Sequence, residues 1–215
     1  MAVLAAAGFV LLILVVAQLL LPGIAAQELR SNLAQSGTVL EVEVSSFPAI
    51  KLLWHRADRV VVRMGRYRAA VSDLGATLAG AVDAHSLDAS AEELDLGPLT
   101  LRDATLRKRG RELTGSATVT QANLRSTVFF LDNVEPIASA NGRLTLRGTA
   151  SFLGLKATVD ATVAARDGAL VVAPSVPFGG IATLTLFSNS HVQVQSVGAT
   201  SVPGGFRVSA QAEVR

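Results

Sequence analysis

Three histidines, His55, His85 and His191, are the side chains of this sequence most suited to proton transfer near neutral pH, and their spacing gives them no shared task. No two of them fall in an H-E-x-x-H frame or a comparable ligand spacing, so no metal site is expected. His55 and Asp58 form a close His–Asp pair, an arrangement that could activate water or a hydroxyl. Serines are plentiful, but none sits in a G-x-S-x-G nucleophile elbow. A P-loop and a G-x-G-x-x-G turn are also missing, so no nucleotide cofactor is expected. Glu92 and Glu93 are adjacent; on a strand they point to opposite faces rather than forming an acid–base pair. Asp132 and Glu135 flank Asn133-Val134 ahead of Pro136 and read as loop residues. The chain has no cysteine, which excludes disulfides, thiolate ligands and cysteine nucleophiles. The sequence therefore predicts no catalytic residue, no metal and no cofactor.

What remains is apolar surface and basic charge. Half of the 215 residues are apolar, 17% are charged, and mean hydropathy is +0.44, a balance that excludes a disordered chain. Nineteen Lys and Arg against 17 Asp and Glu leave a net charge of +2, too small an excess for a dedicated nucleic-acid binder. Phe47-Pro48-Ala49-Ile50-Lys51-Leu52-Leu53-Trp54 gathers large apolar groups, including the single tryptophan, beside basic ones. That mixture suits a membrane interface, and equally a helix capping a sheet. Arg56, Arg59, Arg63, Arg66 and Arg68 surround this segment. Arg107-Lys108-Arg109-Gly110-Arg111 reads as a charged hairpin tip. Such clusters contact anionic headgroups on a membrane-associated protein, or serve as solvated, edge-protecting charges.

The elements that must position these groups follow from periodicity. Val3 to Leu21 is uncharged and long enough to cross a bilayer core, so residues 1–22 read as a membrane anchor or a signal segment. Ile24 to Gln35 reads as a helix. Leu40, Val42 and Val44 then alternate with polar residues, and Arg59–Met64 is a second strand. A short helix is expected over Pro48–His55, another over Val71–Asp83 and a third over Gln121–Leu131. Strands are expected around Leu113–Val119, Leu144–Phe152, Ala157–Val163 and Phe206–Val214, with turns at Gly154, Asp167-Gly168 and Gly204-Gly205. Gly180–Phe187 fits helix or strand. The fold class is α+β: antiparallel meanders with a few helices on one face. The inward positions are mostly Ala, Val and Gly. A strongly curved sheet with a helix across it would enclose an apolar groove there, and plain close packing is the alternative.

The layout resembles the LmeA-like family of actinobacterial cell-envelope proteins. The residues that carry the likeness are the N-terminal apolar segment and helix, Val44-Ser45-Ser46-Phe47-Pro48, Asp58–Val62, Thr118–Leu124, the meander from Gly142 to Ala173, and the closing pair His191–Ala199 and Gly205–Val214. The resemblance implies a single domain over residues 23–215 with a tubular lipid-binding fold, a strongly curved antiparallel sheet wrapped around a long helix. It implies a phospholipid as partner, a membrane nearby, no nucleic acid, and a place in the cell envelope outside the cytoplasmic membrane. Protein partners stay unknown. On this reading Phe47, Leu53, Trp54, Val62, Phe129, Phe130, Phe152 and Phe187 would line the acyl groove, and Arg56, Arg59 and Arg63 would hold the headgroup. The function expected is phospholipid binding for lipid transport or envelope maintenance. A phospholipase on the same scaffold, or a structural protein binding other envelope proteins, are the alternatives.

Overall fold

The computed structural model describes residues 18, 20–49, 52, 56–69, 84–97, 99–123, 132–152, 155–175 and 183–215. Twelve strands run from β1 (Gly37–Ser45) through β2 (Ala57–Arg68), β3 (Ala84–Leu96), β4 (Leu99–Arg109), β5 (Glu112–Thr120) and β6 (Asn133–Ala140). They continue with β7 (Arg143–Phe152), β8 (Leu155–Arg166), β9 (Ala169–Pro174), β10 (Leu184–Phe187), β11 (Val192–Val202) and β12 (Gly205–Val214). They form two open sheets, one of seven strands in the order β1-β2-β3-β4-β5-β12-β11 and one of five in the order β10-β9-β8-β7-β6.

This α+β arrangement of two sheets replaces the single, strongly curved sheet wrapped around a long helix. The reason lies in pairing. The meander β6–β10 pairs only within itself, and the last hairpin returns to the first sheet, where β12 lies against β5 from Phe206 opposite Val119 to Glu213 opposite Glu112. Nor is the first sheet wholly antiparallel, because β2 and β3 run parallel, with Val62 beside Ala89. Residues 20–34 are helical, as expected for Ile24–Gln35. Among the described residues no helix is long and apolar enough to cross a membrane. That finding corrects the expectation of an N-terminal transmembrane or signal helix: from Gln27 onward the described helix carries Glu28, Arg30, Ser31 and Asn32. Residues 3–17 of that expected segment lie outside the described residues, as do most of the expected helices over 48–55, 71–83 and 121–131.

Alternation gives the first sheet two unlike faces. One row crosses all seven strands as Val44, Val60, Leu87, Lys108, Leu113, Ala212 and Val194. It is apolar except for Lys108, which is 3% exposed and donates its ammonium to the Ala84 carbonyl. Lys108 thus belongs to the interior rather than to a solvated hairpin tip. The next row is polar apart from the buried Val61: Glu43, Val61, Asp88, Arg107, Thr114, Gln211 and Ser196.

The second sheet packs through Val134, Leu144 and Val163 against Val119, Val197, Ala199 and Phe206 of the first. Two hairpin turns fix its position. Asn141-Gly142 and Asp167-Gly168 both take left-handed conformations, as two-residue turns between twisted strands require. Their glycine carbonyls then accept from edge strand β11: Val197 N–H to Gly142 O at 3.1 Å, and Val194 N–H to Gly168 O at 2.9 Å. The Ser139 hydroxyl accepts a third, from Ala199 N–H at 3.1 Å.

A side chain at Gly142 would suffer twice, from its φ of 70° and from a Cβ 3.0 Å from the Ser196 Cβ. Gly204 has a φ of 75° with nothing within 4 Å of an added Cβ, so it isolates the conformational cost. Gly204→Ala should lower stability in urea denaturation by roughly 1–2 kcal/mol. Gly142→Ala should cost more than Gly204→Ala; equal losses would mean that the joint between the sheets does not depend on this close approach.

Candidate functional site

The described residues of the expected groove are spread over both sheets. Val62 is 9% exposed, facing inward from the middle of β2. Phe187 ends β10 and packs on Leu113, Val192 and Val214, toward the β11 edge of the first sheet. Phe152 ends β7, opposite Leu155. Phe47 sits between β1 and β2 and is 76% exposed. Leu53, Trp54, Phe129 and Phe130 lie outside the described residues.

Of the three expected headgroup arginines, Arg59 and Arg63 project from the polar face of β2. Arg59 is 3.8 Å from Asp88 and Arg63 is 3.0 Å from Glu41. Arg56 is exposed and has no ion pair among the described residues. Asp88 accepts three arginines in all, with Arg109 at 2.9 Å and Arg107 at 3.7 Å as well as Arg59.

Two clefts lie on polar surface. One, of about 640 Å³, is floored by Thr114, Ser116, Ser196, Ser209 and Gln211, with Arg107 at its side. The hairpin tip Ser139–Gly142 walls it. The other, of about 520 Å³, is charged, with Arg66, Glu92, Glu93, Arg102 and Asp103 around it. Neither is suited to acyl chains, because hydroxyls and charges there would lose water without gaining partners.

Apolar surface is found instead on the second sheet, where the strip that packs under β11 continues past the contact. Along β8 the inward positions run Val163, Ala161, Val159 and Ala157, and exposure grows from 6% at Val163 to 42% at Val159. Leu184, opposite Val172 on the same face, is 60% exposed. Sequence reasoning did not select Val159 or Leu184. Its available signal was an apolar alternation in β8 that runs further than the seven-stranded sheet can cover.

Hydrolytic chemistry has little to stand on among the described residues. His55 lies outside them, and Asp58 accepts the Phe47 amide at 2.6 Å. His191 is exposed, with Ser190 Oγ 3.2 Å from its Nδ1, and His85 is exposed on β3. No group of three His, Cys, Asp or Glu among the described residues is placed to hold a metal ion.

The resolved shifts in protonation belong to structural ion pairs. On the outer face of the second sheet Arg147 donates to both oxygens of Asp160, at 2.8 and 2.9 Å. Those hydrogen bonds hold the Asp160 carboxyl below its usual range against a smaller desolvation effect, and the Arg147 pKa is raised in turn. Arg66 is raised likewise, first by its hydrogen bond to Glu93 and then by the charges of Glu93 and Asp95.

The fold and its surfaces define a two-sheet protein with a partly uncovered apolar strip. A family model described as LmeA-like phospholipid-binding matches residues 15–211, and the chain belongs to that family. No match to the chain was found among curated proteins or among solved structures.

Because the Asp160 pKa is lowered in the folded state, its bond adds stability in full above the ordinary carboxylate range. The contribution is lost as pH falls from there through the lowered folded value. Asp160→Asn should therefore be less stable than the parent at neutral pH, with the gap closing in acid. A gap independent of pH in denaturation curves would contradict this assignment.

Proposed function

We propose that the protein binds a phospholipid by laying its acyl chains along the uncovered strip of the second sheet. The strip supports this reading because it is already half built as an interior: Val163 and Leu144 are buried under β11, and Val159 and Leu184 continue the same face into solvent. At ~3.3 Å per residue, Val163 to Ala157 spans roughly 20 Å. Each methylene that leaves water there would contribute ~0.8 kcal/mol. Membership in a phospholipid-binding family is the observation that carries the reading. In it the chain works as one lipid-handling domain over residues 23–215. Its place is the extracytoplasmic side of the cell envelope, where it serves lipid transport or envelope maintenance.

The expected groove residues Phe129, Phe130 and Phe152 and the arginines Arg59 and Arg63 remain part of the proposal. The arginines would hold a phosphate by charge-assisted hydrogen bonds.

Native mass spectrometry of the full chain, with extraction of any bound lipid, tests the reading. One or two phospholipids per chain are expected. Val159→Glu combined with Leu184→Glu should abolish the added mass and leave thermal stability nearly unchanged, since exposed positions shift it by only about 0.5 kcal/mol. A lipid-free parent, also after mixing with vesicles, would overturn the proposal. Lysophospholipid and free fatty acid in the bound pool would turn it toward a phospholipase.

A further inference from the structure

The corner of the first sheet around Phe47 has a construction that lipid binding on the second sheet does not use. Phe47 is 76% exposed, yet Ser46 and Ala49 on either side of it are 5% and 1% exposed. Four hydrogen bonds hold the loop. Gln18 donates from Nε2 to the Ser46 carbonyl at 3.1 Å and accepts from the Ala49 amide at 2.7 Å. The Phe47 amide donates to Asp58 at 2.6 Å, and the Ser46 hydroxyl to the Arg56 carbonyl at 3.4 Å. A large apolar side chain is thereby held out in water on a fixed base.

Its surroundings match one kind of partner. Leu20 and Ile24, one turn apart on the helix of residues 20–34, are 58% and 60% exposed. Arg56, free of any ion pair among the described residues, follows the loop. Arg59, Arg107 and Arg109 share the carboxylate of Asp88, with Glu43 and Glu112 in register beside them and Asp58 at the loop itself, so guanidinium groups gather here without a large net charge. Exposed apolar side chains with an arginine beside them fit an anionic bilayer surface: the ring enters the acyl boundary and the guanidinium group meets a phosphate.

We infer that this corner docks on an anionic lipid bilayer, with Phe47 as the inserted side chain and Arg56 as its headgroup contact. The inference rests on the phospholipid reading for the nature of the partner, and it assigns a different surface from the acyl strip. Docked in this way, the opposite end of the first sheet, with Gln121, Ala122 and Gly204, stays in water.

The chain has no native cysteine, so a single label reports position directly. Full-length Phe47→Cys and Ala122→Cys, each carrying an environment-sensitive fluorophore, are mixed with vesicles of phosphatidylcholine and phosphatidylglycerol that contain a lipid-borne quencher. Strong quenching is expected at position 47 and none at 122. Arg56→Glu should weaken partition onto these vesicles roughly fivefold and leave partition onto pure phosphatidylcholine unchanged. Vesicle-bound protein with an unquenched label at 47, equal quenching at both positions, or no vesicle binding would each overturn the inference. Bound-lipid mass in the Arg56→Glu variant separates the two readings. Docking lost with lipid retained supports a distinct surface. Lipid lost with docking retained counts against this assignment of Arg56.

Discussion

Edge strand β11 has outward backbone amides that no eighth strand pairs among the described residues, and buried amides cannot be left without acceptors. The protein meets this demand with two hairpin turns and a serine from the second sheet. The geometry of those turns then dictates much else. Each must bring a carbonyl to within hydrogen-bonding distance of β11, so each carries a glycine where a side chain would strike Ser196 or Gln193. Strands β6 to β9 are set across β11 as a result, and their apolar face is buried only where the first sheet reaches. What protects one sheet's edge from pairing with other chains therefore also leaves part of the other sheet's face uncovered.

Charge and apolar surface are kept apart in the same way. The polar row of the first sheet concentrates arginines around Asp88, and the adjacent row, facing the other way, is apolar but for Lys108. Burial of that ammonium is tolerated because it reaches a backbone carbonyl rather than apolar neighbours alone. Such separation suits a protein that meets lipid with apolar groups and headgroups with cations. It offers little to a mechanism that needs an acid and a base converging on one point.

Periodicity made much of the architecture legible. The alternating runs in β7, β8 and β12 lie where they were expected, and so do the turns at Asp167-Gly168 and Gly204-Gly205. Strand β6 was read as loop because Pro136 and Glu135 lie in it; the position is compatible with proline because β6 is a sheet edge, where a missing N–H breaks no ladder. Pairing beyond neighbouring hairpins was not legible. Alternation reports which residues share a face, and says nothing about which strand lies alongside, so the parallel β2–β3 pair and the return of β12 to β5 were invisible. Phe47 stood out by composition, whereas Val159 and Leu184 looked like ordinary inward residues, since exposure of an apolar face depends on where another sheet ends.

The insertion of the second sheet between β5 and β12 bears on how the protein is made. A chain emerging from its N-terminus can pair β1 through β5 early, but the open side of β5 has no neighbour until Gly205–Val214 arrive. Through the synthesis of β6 to β11 that side carries Leu113, Ala117 and Val119 next to an unsatisfied ladder, the kind of surface that joins other chains. The second sheet is built from local hairpins, whose short loops close quickly. It is thus complete while the first still waits. Strand β12 seals the sheet that β1 to β5 began, so residues 205–214 hold a place in assembly out of proportion to their number.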